Sequence, residues 1–210
     1  MLAQFISIEG SEGGGKTTNL EQIKATLGEL GIDFVVTREP GGTELAEQLR
    51  DLLLTPRKEV VTAQAELLMM FAARAQHVEH FIKPHLAQGT WVISDRFTDA
   101  TFAYQGGGRQ LSWDLIAQLE RLAINQFKPD LTLLLDLDPE IGLARAAERG
   151  ELDRFEQEAL PFFQRVRAAY LQRATADPKR FRVVDASQPL NQVQQTIRTH
   201  IQQFVEAIEA

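Results

Sequence analysis

Cysteine is absent from the chain, which excludes a disulfide framework and a zinc–thiolate site. Long hydrophobic runs are absent too: nothing approaches the ~18 unbroken apolar residues of a membrane helix. The opening residues Met1-Leu2-Ala3-Gln4-Phe5 carry no basic patch, so no secretory signal is expected. Nor is there an excess of base, since 22 Lys and Arg against 29 Asp and Glu leave a net charge of −7. That argues against a nucleic-acid surface, which works by neutralising phosphates. It leaves room for a small pocket in which a few arginines meet one phosphate. The expected class is a soluble cytoplasmic protein with neither membrane nor nucleic acid as partner.

What is present is a large core. Of 210 residues, 44% are apolar and twelve are Phe, enough for one domain spanning 1–210 and too few for two comfortable ones. Short β-rich runs at Gln4–Glu9, Phe34–Thr37, Trp91–Ser94, Leu131–Leu137 and Phe181–Val184 read as strands. Helical spacing occupies Lys16–Leu30, Glu44–Leu54, Thr62–Leu86, Trp113–Phe127, Glu158–Thr175 and Leu190–Ile208. Asp138-Pro139 reads as an N-cap followed by Pro at the first helical position. Strand–helix alternation predicts a three-layer α/β fold, with about five parallel strands between helices. One stretch, Glu148–Glu158, is highly charged. By composition it is a solvated linker, or a mobile lid.

Gly10-Ser11-Glu12-Gly13-Gly14-Gly15-Lys16-Thr17 fits the G-x-x-x-x-G-K-[ST] phosphate loop and lies between a strand and a helix, with Thr18 following. Glycines let the backbone curl with its N–H groups inward, and the helix N-terminus adds a positive field. Lys16 is expected on the β- and γ-phosphates of ATP and Thr17 on Mg²⁺. The filler residues contain no Arg. One Lys and one metal neutralise the spreading phosphoryl charge only partly, so the charged stretch, with Arg149 and Arg154, is the natural source of further cations.

A guanine-reading Asn-Lys-x-Asp element is missing, which argues against a GTPase. Asp95-Arg96-Phe97 ends the third strand, where doubly wound folds gather ligands. An Arg there can clamp a monophosphate, and the adjoining Asp95 can hold a metal-bound water. His77, His80 and His85 lack an acidic partner at zinc spacing, and Asp138 reads as a helix cap, not a ligand. The loop Asp185–Gln188 follows the last strand, where an adenine is usually framed.

Over nearly its whole length the chain resembles the bacterial thymidylate kinase family. The resemblance rests on EGSEGGGKTT at 9–18, TREPGGT at 37–43, FAARAQH at 71–77, DRFTDATFAYQGGGR at 95–109, PDLTLLLDLDP at 129–139 and RGELDRFEQE at 149–158. The arginine-free loop with arginines in the lid (about 148–157) is similar to the enterobacterial-type subgroup. The resemblance implies transfer of the ATP γ-phosphoryl group to dTMP, a step in dTTP synthesis, by a homodimer. It puts Arg96, with Arg38 and Arg50, on the dTMP phosphate and Glu12 near the sugar 3′-hydroxyl and the metal. Gln105, Thr101 and Arg74 would address the edge of thymine, and Tyr104 would fill the space of a ribose 2′-hydroxyl. Where the family usually has a base-stacking Phe this chain has Met70, and Phe71 beside it is the expected substitute. Two rivals remain: a deoxynucleoside kinase with Glu39 as base, and a nucleotide-dependent switch.

Overall fold

The computed structural model describes residues 2–148 and 153–209. Five parallel strands, β1 (Phe5–Glu9), β2 (Phe34–Arg38), β3 (Trp91–Asp95), β4 (Leu131–Asp136) and β5 (Phe181–Asp185), form one sheet in the order β2-β3-β1-β4-β5. All five positions agree with the periodic runs, with one end of each moved by a single residue. Because β1 is central, its neighbours lie on both sides and the chain reverses direction around it. Register pairs Ile8 and Arg38 with Asp95, so the ends of β1, β2 and β3 share one rim, the place for a ligand in such a sheet.

Alternation of side chains divides the core. Ile6, Ile8, Ile93, Leu133 and Leu135 face α1 (Lys16–Glu29) and α9 (Leu190–Glu209), meeting Ile23, Leu27, Val193, Ile197 and Ile201. The other face is covered in two patches. Phe5 and Val92 pack with Val78, Ile82 and Phe97, while Leu134 packs under α8 (Leu160–Ala176) through Phe163, Val166 and Tyr170. Polar residues also lie on this face: Ser7 and Thr132 hydroxyls are 2.9 Å apart, and Arg180 donates to both Thr132 and Asp99.

Helix starts follow their caps. Thr43 accepts from Ala46 N at the head of α2 (Glu44–Leu54), Thr62 from Ala65 N at the head of α3 (Ala63–His77), and Asp138 from Glu140 N at the head of α7 (Pro139–Ala147). The single helix expected over Thr62–Leu86 is instead interrupted: α3 gives way to a π segment, Val78–Ile82, before α4 (Lys83–Ala87). Pro84 has no N–H to continue an i→i−4 ladder, and the wider turn precedes it.

After β3, Thr98–Thr101 is helical (α5) and Phe102–Gly108 is a π segment, followed by α6 (Trp113–Ile124). The glycines of that segment serve close packing. A Cβ on Gly107 would sit 2.7 Å from the Arg165 carbonyl, and one on Gly108 2.4 Å from the Phe162 ring. Of the two readings of the charged stretch, the fully solvated linker does not fit, because Phe155 is buried beside Phe162 and Tyr104.

The phosphate loop meets α7 backbone to backbone. A Cβ on Gly13 would lie 2.0 Å from the Gly142 carbonyl oxygen, and one on Gly142 would lie 2.4 Å from the Glu12 carbonyl oxygen. Gly142→Ala would ordinarily stabilise a helix interior by up to ~1 kcal/mol. Here overpacking costs ~1–3 kcal/mol, so the melting temperature should fall by several degrees, at ~2–4 °C per kcal/mol. Thermal unfolding showing a rise would contradict the close approach.

Candidate active site

The loop between β1 and α1 needs its glycines. Gly13 and Gly15 have φ of +69° and +80°, and a Cβ on Gly10 would be 2.7 Å from the Leu135 carbonyl oxygen. Half-buried Lys16 donates its Nζ to the carbonyls of Gly10 (3.1 Å) and Ser11 (3.0 Å). Burial, then the charge of Arg96, draws its pKa downward. Thr17 and Thr18 open the helix on the wall of a cleft of about 530 Å³ that runs from this loop past β3 to the π segment.

Arg96 occupies the centre of that cleft in a left-handed conformation, φ +71°, which costs a non-glycine residue ~1–3 kcal/mol. Three hydrogen bonds hold it: Arg96 N to Ile8 O (3.0 Å), Ser94 Oγ to Arg96 O (2.7 Å), and Phe97 N to Glu9 Oε1 (2.7 Å). The guanidinium donates to Glu12 Oε1 (2.6 Å) and Gly10 O (2.9 Å) and lies 4.8 Å over the Tyr104 ring. The Tyr104 hydroxyl donates to the same Glu12 oxygen at 2.8 Å. Phosphate loop and DR arginine are therefore joined through Glu12.

Arg50 lines the cleft with its NH1 on the Pro40 carbonyl (2.8 Å). Burial and the neighbouring charges of Arg38 and Arg96 lower its pKa, the mark of cations gathered where an anion belongs. Arg38 itself is exposed, paired with Glu47 at 2.8 Å, and off the cleft wall. At the far end Arg74 is buried, donating to Glu39 (2.6 Å), Thr101 Oγ1 (2.9 Å) and the Phe97 carbonyl (3.2 Å). Arg74, Thr101 and Gln105 together line that end.

Two expected residues are placed otherwise, and a third is not described. Phe71 is in the core with Leu67, Phe102 and Ile116, while Met70 lines the cleft. At ~100° per residue on a helix, that one-position difference turns Phe71 inward and leaves Met70 on the cleft wall. Arg154 is turned from the phosphate loop: its Nε donates to Leu53 O (2.7 Å) and its NH2 lies 2.7 Å from buried Glu66. A buried carboxylate needs a cation, and Arg154 supplies one. Arg149 falls outside the described residues.

Asp95 Oδ1 is buried and, among the described residues, accepts no hydrogen bond. With Thr17 on the same cleft, this leaves hard oxygen donors of the kind a divalent cation shares with phosphates. No cluster of three His, Asp or Glu residues among the described residues forms a cage of its own. Asp136 is held bidentately by Arg167 (2.7 and 2.9 Å). His77, buried, bonds Thr37 (2.6 Å) and Glu39 (2.9 Å). Glu39 is thereby tied to both Arg74 and His77.

Sequence reasoning missed Glu9, Glu66, Tyr170 and Arg145, the last on the cleft wall. Glu9 had one signal, a carboxylate ending an otherwise apolar central strand.

Comparison with known proteins agrees with this geometry. The family model for thymidylate kinase matches residues 8–197. The chain belongs to the thymidylate kinase family. It is 60% identical over 193 residues to thymidylate kinase of Hahella chejuensis, covering 92% of this chain and 93% of that protein. It is 56% identical over 207 residues to that of Ectopseudomonas mendocina, covering 99% of each. The crystal structure of thymidylate kinase from Ehrlichia chaffeensis superposes with a TM-score of 0.77 at 35% identity, over 95% of this chain and 98% of that one.

Burial, then the charge of Asp99, pushes the Glu9 carboxyl up to about 8. From about pH 4.5 to 8 the native state therefore holds a proton that the unfolded chain releases, and stability falls as pH rises through that window. A Gln at this position cannot titrate. Between pH 5 and 8 the wild type should lose at least ~1 kcal/mol relative to Glu9→Gln in urea unfolding; parallel pH profiles would contradict this.

Proposed function

We infer that this chain phosphorylates dTMP to dTDP with ATP as donor. One observation carries the reading. A phosphate loop and an arginine-lined acceptor pocket form one continuous cleft, bridged by Arg96 and Glu12. Two nucleotides laid end to end along it meet at their phosphates, and such positioning supplies much of the acceleration of phosphoryl transfer.

In this reading Gly10 to Thr18 cradle the ATP phosphates and Lys16 leaves its loop carbonyls for the β- and γ-oxygens. Thr17 and Asp95, whose unpaired oxygen supports the assignment, would hold the Mg²⁺ carried with ATP, and that ion would supply charge neutralisation at the phosphates. Arg96 exchanges the Glu12 carboxylate for the dTMP phosphate, with Arg50 beside it and Arg38 at the margin. Glu12, released by Arg96, faces the sugar, and Tyr104 occupies the space beside it. Arg74, Thr101 and Gln105 address the base edge, with Met70 across its face. The acceptor phosphate is already ionised, so no general base is required. A nucleoside kinase would need one, and Glu39, its candidate, is tied to two partners.

A loop without arginine supports the enterobacterial-type arrangement in which lid residues bring the missing cation. Arg149 is our choice, with Arg145 on the cleft wall as a second cation, and Arg154 joins them only by leaving Glu66. A homodimer is supported by leucines left exposed on neighbouring helices, Leu68 on α3 and Leu115 and Leu122 on α6. A cytoplasmic location fits the acidic chain, and among the described residues no helix is long and apolar enough to cross a membrane.

The test is a coupled ADP-release assay across dTMP, dUMP, dCMP, dAMP and dGMP. Turnover should require a nucleotide acceptor and give the highest kcat/KM with dTMP. Arg149→Ala should lower kcat ~100-fold or more while ATP affinity changes only severalfold, because its charge matters in the transition state. ADP release independent of any acceptor would contradict the reading.

A further inference from the structure

Glu66 does not itself line the cleft, yet three side chains converge on it. It is fully buried on α3. Its Oε1 accepts from Gln105 Nε2 at 2.8 Å and from Arg109 Nε at 3.2 Å, and its Oε2 accepts from Arg109 NH2 at 3.3 Å. Arg154 NH2 lies 2.7 Å from the same Oε2. A carboxylate between two guanidinium groups is an acceptor only. The Gln105 amide must then turn its NH₂ toward Glu66, because the reverse orientation would set oxygen against oxygen in a buried space. Gln105 lines the cleft, and with its NH₂ committed it offers the carbonyl oxygen to a ligand.

We propose that Glu66 is a positioning residue for base selection: by fixing the Gln105 amide it presents an acceptor to the pyrimidine 3-position. The inference rests on the dTMP reading above. Thymine and uracil carry N3–H there and satisfy that acceptor. Cytosine carries an unprotonated N3, so two acceptors face each other. Beside Gln105, Arg74 has donors only, which suit the O4 of thymine and oppose the exocyclic amine of cytosine. Arg74 is held by Glu39, Thr101 and the Phe97 carbonyl. Both readers of the base edge are thus oriented by buried carboxylates, Glu39 for the donor and Glu66 for the acceptor.

The experiment is kcat/KM of wild type and Glu66→Gln for dTMP, dUMP and dCMP. The side-chain amide that this substitution introduces can donate to the Gln105 oxygen, so the Gln105 amide is free to turn and cytosine loses one of its two mismatches. The dTMP-to-dCMP ratio should narrow by about tenfold, within the range that one buried unpaired group commands. The dTMP-to-dUMP ratio should stay within about twofold, since both bases have N3–H. A purely structural role would scale all three substrates by one factor, and that outcome, or an unchanged dCMP ratio, overturns the assignment of Glu66. A wild type inactive on dTMP would overturn the underlying reading as well. Should the variant not fold, the wild type decides by NMR with dTMP bound. A hydrogen-bond coupling from Gln105 Nε2 to the Glu66 carboxyl carbon supports the proposal, and its absence with the NH₂ on the base overturns it.

Discussion

A carboxylate at the end of the central strand reaches over the turn that follows β3 and accepts the Phe97 N–H, and much of the site hangs on that bond. Arg96 stands left-handed one residue earlier, a conformation its own side chain disfavours. Glu9 Oε1 (2.7 Å), the Ile8 carbonyl and the Ser94 hydroxyl hold the turn in place. The other Glu9 oxygen takes the Tyr170 hydroxyl at 2.8 Å, so the turn is also pinned to α8. Without these bonds the strand would run on extended and carry the Arg96 guanidinium away from the phosphate loop. The strain is local, and the hydrogen bonds that offset it are buried.

Polar contacts run outward from that clamp. Glu9 holds the turn that carries Arg96, Arg96 meets Glu12, and Glu12 accepts from Tyr104. A second chain runs from His77 through Glu39 to Arg74 and Thr101, and a third from Gln105 through Glu66 to Arg109 and Arg154. Each ends on a side chain that lines the cleft. Buried ion pairs add little stability on their own; here they fix direction. In the proposed reaction the donors and acceptors that meet two nucleotides are oriented before either arrives, the condition for electrostatic stabilisation without reorganisation.

Much of this architecture was legible in the residues. The five strands announce themselves as short apolar runs, and the phosphate loop by glycines that the structure shows as sites of positive φ or close backbone approach. Less legible were features set by tertiary packing. Glycine breaks isolated helices, so nothing local announces the π segment at Gly106 to Gly108, where the lack of a Cβ at Gly107 and Gly108 lets it press against α8. Met70 and Phe71 differ by one helical step, which local spacing cannot resolve and the core can. Arg154 reads as a lid cation because nothing local reveals a carboxylate at Glu66, remote in sequence, that captures it. Glu66 itself looks like a surface charge in the first turn of a helix.

The most direct measurement is a crystal structure with dTMP and a non-hydrolysable ATP analogue bound together. The account predicts that Arg96 keeps its left-handed backbone with Glu9 still on the Phe97 N–H. Its guanidinium should leave Glu12 for two oxygens of the dTMP phosphate. An Arg96 that stays on Glu12 while the acceptor phosphate sits elsewhere, or an acceptor pocket left empty, would contradict it.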